Sequence, residues 1–380
     1  MSSPDYVGSL TDDVSALAHS FDEFASVVSD FGNRFAELNA PDNQIDTAEG
    51  YRLFLRYLTI GIDQFVEHAD PAFPAFYQKS RDGVRKYAGD SPAQIYDSCP
   101  VSGRYEYEVK GNLAETALIE LSVYSGDFSG SNPQPRRLVA SITEEDLQLS
   151  ESGDFTLRLA RNATGPNTLA LDEDGTGLSV RRYLRDPRTD KPRPLSIRRI
   201  GPGPARPVLR TEELRDGIVR AAGFAAHNVR IWARWVDDVR RSKANELTSM
   251  HDSSDIYTPS GHRYLNGYWS VPDGHALVIS FVPPADAYWS FVPMNYWMES
   301  FEWRFGNRVY ATSLDAEPGA DGVVRLVLAA VDPQLDDHLW IDTDGHVEGT
   351  MALRFGRCTV DVADVRVELI AHTAGNRSAG

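Results

Sequence analysis

Leu10, Val14, Leu17, Phe21, Phe24, Val28, Phe31, Phe35 and Leu38 recur at three- and four-residue steps, the spacing of one helix face. They predict an amphipathic helix over 10–39, with Thr11, Asp12 and Asp13 suited to its first turn and Pro41 ending it. Tyr51, Phe54, Leu58, Ile62 and Phe65 predict a second helix over 47–68. Asp46 and Glu49 stand at capping-box spacing at its start, and Pro71 and Pro74 stop it. These two helices form an antiparallel pair whose aromatic side needs another surface to cover it.

From 75 to 210 the period shortens. The segments 102–110, 117–124, 154–160, 177–184 and 195–200 read as strands separated by Gly, Pro, Asn and Asp. Short strands at this density suggest an antiparallel sandwich. Gly201-Pro-Gly-Pro-Ala-Arg-Pro207 is the best linker in the chain. A long helix follows over 211–247, its stripe running from Leu214 through Trp232 to Val239, and then a polar break over 250–260. Strands return at 276–282, 288–304, 323–330, 349–355 and 365–372. The expected fold is mainly β with α: two antiparallel, jelly-roll-like β-sandwich parts over 75–206 and 261–380. A helical segment over 1–74 and a helical connector over 207–260 complete it. No internal repeat or low-complexity tract is visible in the sequence.

The stretch Tyr288–Arg304 stands apart, with three Trp, two Tyr and two Phe among seventeen residues. At period two, Tyr288, Ser290 and Val292 face one way and Trp289, Phe291 and Pro293 the other. Beyond a bend at Pro293-Met294, the same period puts Asn295, Trp297, Glu299, Phe301 and Trp303 on one face. Both faces are heavy and partly polar. That predicts a strand inside a sandwich, with one face in the core and the other toward a cleft or another domain. The aromatics suit either a core satisfied from within or a ligand cleft.

Composition narrows the partners. Fifty-five acidic residues against 38 basic give a net charge of −17, which disfavours nucleic acid and anionic membrane surfaces. Two cysteines, Cys99 and Cys358, are too few for a disulfide framework, so a reducing cytoplasm is expected. The first residues show neither the basic nor the apolar region of a secretory leader, and no run approaches a membrane span. Nine arginines crowd 181–210. They suit a sheet face paired with acidic neighbours or, more sharply, an anionic substrate or a subunit contact.

Known chemical motifs are absent from the sequence: no zinc-type His/Cys spacing, nucleophile elbow, dinucleotide fingerprint or phosphate loop. No cofactor is expected. Asp336-Asp337-His338-Leu-Trp340-Ile-Asp342-Thr-Asp-Gly-His346 sets two imidazoles among carboxylates. A carboxylate beside a histidine fixes its tautomer and raises its basicity. If this turn packs against the Asn295–Glu299 face, Glu299, His346 and Asp342 form an acid–base group. Asn295, Trp297, Trp303, Trp340, Tyr288 and His338 then line the ligand site. The competing reading makes 342–346 a plain hairpin turn, with Asp capping its own backbone. Metal binding by His338, Asp342 and His346 is a weaker alternative.

Tyr-Trp-Ser-Phe at 288–291, Asn295, Trp297, Glu299-Ser300, Asp332-Pro333, Trp340, Asp342, Gly345-His346 and Gly349 together resemble the C-terminal jelly-roll domain of the bacterial "domain of unknown function 1214" family. Gly89-Asp90-Ser91-Pro92, Tyr96, Tyr105, Gly111-Asn112, Asn167, Leu171, Val180-Arg181-Arg182-Tyr183 and Asp186 resemble, less closely, the sandwich domain that often precedes it. The resemblance implies two β-sandwich parts with helical elements and no established activity. The long helix over 211–247 departs from that pattern.

Three functions are compatible with these features. The first is a cofactor-independent lyase, isomerase or hydrolase acting on a small apolar or sugar-like molecule. The second is a non-catalytic small-molecule or carbohydrate binder. The third is an assembly protein forming a homo-oligomer.

Overall fold

The structure, a computed structural model, describes residues 5–81, 83–126, 136–173, 175–249, 262–285, 287–356, 358 and 365–372. Helix α1 spans Asp5–Arg34, followed by a 3-10 turn at Phe35–Leu38; α2 spans Gln44–Ile62, followed by a π turn at Asp63–Glu67; α3 spans Thr211–Ser242. The cap of α2 differs from the expected one. Asn43 is its N-cap, its side chain accepting the N–H of Asp46, so Asp46 lies inside the first turn. The polar break over 250–260 lies outside the described residues.

The first nine strands are β1 (Tyr77–Gln78), β2 (Gln94–Pro100), β3 (Glu106–Asn112), β4 (Leu118–Ser125), β5 (Arg137–Thr143), β6 (Asp154–Ala160), β7 (Thr168–Ala170), β8 (Gly175–Tyr183) and β9 (Ser196–Ile200). The second nine are β10 (Thr248–Ser249), β11 (Arg263–Ser270), β12 (His275–Phe281), β13 (Tyr288–Pro293), β14 (Ala311–Thr312), β15 (Val324–Ala329), β16 (Leu339–Asp342), β17 (Glu348–Gly356) and β18 (Arg366–Ala371). They form two sandwiches. In the first, sheet β1-β2-β8-β4-β5 packs on sheet β7-β6-β3-β9; in the second, sheet β10-β11-β17-β13-β14 packs on sheet β16-β15-β12-β18.

Adding nine to each strand number of the first sandwich gives the second, sheet for sheet and neighbour for neighbour. Even the edge pairs β6–β7 and β15–β16 are both parallel, while the other strand pairs are antiparallel. The chain is thus a repeat in topology, although the sequence shows none. Alternation of apolar residues is enough to specify such a sheet, and many sequences supply it.

The two five-stranded sheets face one another. On β8, Leu178 and Val180 point into the first core, which leaves Ser179, Arg181 and Tyr183 on the opposite face. On β13, Trp289 and Phe291 point into the second core, which leaves Tyr288 and Ser290 toward the first sandwich. Tyr183 and Tyr288 pack edge to face at 5.3 Å across the boundary, and Tyr183 Oη lies 2.9 Å from His262 Nε2. This is the arrangement expected of β13, with one face in the core and one toward another domain. A third apolar cluster joins α2 and α3 to Tyr268, Tyr296, Trp297 and Met298, with α1 packed against it, and so covers the aromatic side of the helical pair.

The aromatic stretch does not run as a strand to Arg304. It leaves the sheet after Pro293, and Asn295 closes a tight loop by accepting the N–H groups of Trp297 and Glu299 on its side chain. Met298 adopts φ +59° within this loop, and Asn295 N–H donates to Glu299 O at 3.0 Å. The period-two face drawn from Asn295 to Trp303 is therefore corrected. A side-chain amide that can cap its own loop competes with continued pairing.

Candidate functional site

The Asn295 loop carries side chains against the start of α2. Asp46 and Glu49 lie three residues apart on α2, so both face the loop. Asn295 Nδ2 donates to Glu49 Oε2 at 2.7 Å, and His346 Nε2 lies 3.0 Å from the same oxygen. Trp297 Nε1 donates to Asp46 O at 2.7 Å, and Phe301 stacks on the His346 ring. Arg56, about two helical turns beyond Glu49, donates to Glu299 Oε1 at 2.6 Å and to Val84 O. Ser300 Oγ donates to Asp90, and Lys86 reaches Ser300 O.

Glu299 is 1% exposed. Burial raises its pKa to about 6, against the pull of Arg56. Burial also lowers the His346 pKa, but the bond to Glu49 and the nearby Asp46 outweigh it, and the net shift is upward. Asp46 is raised by burial. Asp46, Glu49 and His346 each offer a ligand-type atom, all within 4.8 Å of one another. A divalent ion would have to displace the Glu49–His346 contact to sit there.

The expected convergence thus forms only in part. Asn295, Trp297, Glu299 and His346 come together, but α2 fills the space between the loop and the turn, and each polar group already bonds a protein neighbour. Asp342 belongs to the turn itself: its Oδ1 accepts Asp344 N–H, and Asp344 and Gly345 adopt positive φ. His338 and Trp340 lie elsewhere. Trp340 Nε1 donates to Ala329 O in a small cluster with Ala276 and Val327, while His338 pairs with Asp332. Those side chains belong to β12, β15, β16 and the segment before β16, on the far side of the second sandwich from the helices. Trp303 packs beside Gly83 at a separate cleft. Tyr288 is buried between the sandwiches, its hydroxyl without a hydrogen-bond partner. The metal set His338, Asp342 and His346 is corrected on the same ground, because His338 bonds Asp332 and His346 bonds Glu49.

A cavity of about 150 Å³ lies where the two facing sheets meet α3. Its aromatic walls are Tyr87, Tyr96, Trp232, Trp235 and Tyr264. Lys79, Arg136, Arg181 and Arg354 also line it, and no carboxylate does among the described residues. Arg181 pairs with Glu120 behind the wall at 3.3 Å. Asn266 Nδ2 and Arg354 Nη1 are buried there without hydrogen-bond partners.

Sequence reasoning reached Arg181 as one of an arginine cluster and as part of the resemblance of the first sandwich, and Trp232 only as part of a helix stripe. It missed Tyr264 and Asn266, because β11 is interrupted by Arg, Asn and Gly and follows a polar segment, and it placed Arg354 in the strand 349–355 without giving it a role. Three other arginines of that cluster pair with acidic neighbours: Arg182 with Asp97 inside the first sandwich, Arg193 with Asp154, and Arg198 with Glu108 on its outer sheet.

No protein-family profile matches the chain, and no curated protein does. The chain is similar to an uncharacterised protein of Burkholderia cenocepacia of known crystal structure. Identity is 28%, the TM-score is 0.86, and the match covers 94% of this chain and 99% of that one. A structure from Vibrio parahaemolyticus aligns over 85% of this chain and 97% of its own, at 11% identity and a TM-score of 0.45.

Proposed function

We propose that the protein binds a small, flat molecule in the cavity between its two sandwiches. The observation that supports this reading most is the wall: five aromatic rings, supplied by both sandwiches, α3 and the segment before β2, surround one space with a few polar donors among them. Apolar walls with a few placed polar groups at a domain junction are the usual make-up of a small-molecule site. The volume suits roughly one aromatic ring.

Acid–base catalysis by Glu299, His346 and Asp342 is the less favoured reading. Glu299 and His346 are held by Arg56 and Glu49, and Asp342 is spent on its turn. In the favoured reading these groups brace α2 against the second sandwich and move no protons.

Trp232 and Trp235 report on the cavity directly. Titration with a panel of single-ring compounds, charged and neutral, is expected to change the intrinsic fluorescence, and Trp232→Phe is expected to reduce that change. A panel without any response at millimolar concentration would sink the proposal.

A further inference from the structure

Because the sandwiches repeat in topology, each position on one facing sheet has a counterpart on the other. Across β2, β8 and β4, Tyr96, Arg181 and Glu120 stand in one row. The matching row across β11, β17 and β13 is Tyr264, Arg354 and Ser290. Both tyrosines and both arginines line the cavity. The counterpart contacts agree with this matching: Tyr183 packs on Tyr288, and Gly356 lies against Leu118.

The rows differ in charge. In the first, the guanidinium of Arg181 is balanced within the chain by Glu120, and both side chains are largely buried. In the second, the place of Glu120 is taken by Ser290, which has no charge to offer. Arg354 is 7% exposed; its Nη2 donates to Gly89 O at 2.5 Å, and it lies 5.7 Å from the Tyr264 ring centre. Its Nη1 is buried without a hydrogen-bond partner, as are Ser290 Oγ and Asn266 Nδ2. Among the described residues no carboxylate pairs with Arg354. A guanidinium held out of water without a counter-charge is strongly disfavoured. Ordered water would satisfy the hydroxyl and the amide but not the charge.

We infer that the ligand of this cavity is a planar carboxylate on a single flat ring. Its acidic group supplies to Arg354 the negative charge that Glu120 supplies to Arg181. Arg354 and Asn266 donate to the carboxylate, and the ring lies among Tyr96, Tyr264 and Trp232. Charge-assisted donors of this kind favour carboxylate over its neutral amide. The inference rests on the small-molecule reading of the cavity and adds the chemistry of what enters it.

Benzoate and benzamide share shape and differ in charge, so they separate the two claims. Calorimetry on the full chain is expected to show benzoate bound at least about tenfold more tightly than benzamide. Arg354→Met is expected to bring that ratio close to one. Ser290→Glu would restore the missing carboxylate beside Arg354; it is expected to abolish benzoate binding while the protein stays folded by circular dichroism. Equal binding of both probes to the wild-type chain overturns the carboxylate assignment and leaves the cavity reading standing. Binding of neither overturns both. A benzoate preference that survives in Arg354→Met or in folded Ser290→Glu places the anion elsewhere and overturns the inference.

Discussion

Glu299 shows how one buried group records its surroundings. One oxygen meets Arg56 and the other is buried without a partner, and burial holds its pKa near 6 rather than at 4.5. A carboxyl raised in this way folds more readily when protonated, so its contribution is complete below 4.5 and is lost as pH rises through about 6. His346 acts in the same direction. Its folded pKa is above 6.5, so its contribution is present below 6.5 and is lost as pH rises through that folded value. Stability is therefore expected to fall between about pH 5 and pH 8, with Glu299 accounting for about 1 kcal/mol, because part of its contribution is already lost by pH 5. Urea unfolding of Glu299→Gln at both ends of that range checks it: the variant should lose that much less than the wild type, and an equal loss would assign the effect to other groups.

Among the elements, the crossing of α2 and α3 is set by small residues. A Cβ on Gly61 would sit 2.6 Å from Ala221 O and 2.9 Å from Ala221 Cα, both backbone atoms that cannot swing aside. Gly61→Ala is expected to destabilise by about 1–3 kcal/mol, as overpacking does where nothing flexible can yield. Gly32 is the contrast. It is exposed in α1 with nothing within 4 Å of its missing Cβ, and Gly32→Ala is expected to stabilise by about 0.5–1 kcal/mol through helix propensity. Thermal unfolding of the pair tests whether helix packing or helix propensity governs this layer. The Asn295 loop belongs to the same scale. Pro293 weakens the strand, the Asn295 side chain takes over two backbone N–H groups, and the released segment is free to meet α2.

For the whole molecule, the helices act as a third partner to the two sandwiches. Phe54, Tyr57 and Phe224 share a core with Tyr296, Trp297 and Met298. Trp297 and Tyr296 also anchor to helix-side carbonyls, at Asp46 and Leu38. A chain lacking residues 1–70 would expose that surface and leave Glu299 without Arg56. Light scattering is expected to show such a fragment aggregated, with no cooperative melt; a monodisperse fragment with a sharp transition would show that the sandwiches stand without the helices. No helix among the described residues is long and apolar enough to cross a membrane.

Local periodicity alone determined much of this protein. The three helices, the strand Asp154–Ala160, the β13 alternation of core-facing and outward residues, and the mainly β architecture follow from apolar spacing, which is local and needs no partner to be read. The turn at 342–346 was open to two readings, and Asp342 closing on Asp344 selected the plain one. Tertiary structure decided what faces what. Nothing within Asn295–His346 announces that Glu49 and Arg56, some 250 residues earlier, occupy the space between them. The repeat of strand order is likewise invisible, because a sheet needs alternation and not a particular sequence. The uncompensated charge of Arg354 exists only because a β-strand from the second sandwich carries Ser290 where its counterpart in the first carries Glu120. Burial and the lack of a counter-charge are properties of neighbours in space, and a sequence orders only neighbours along the chain.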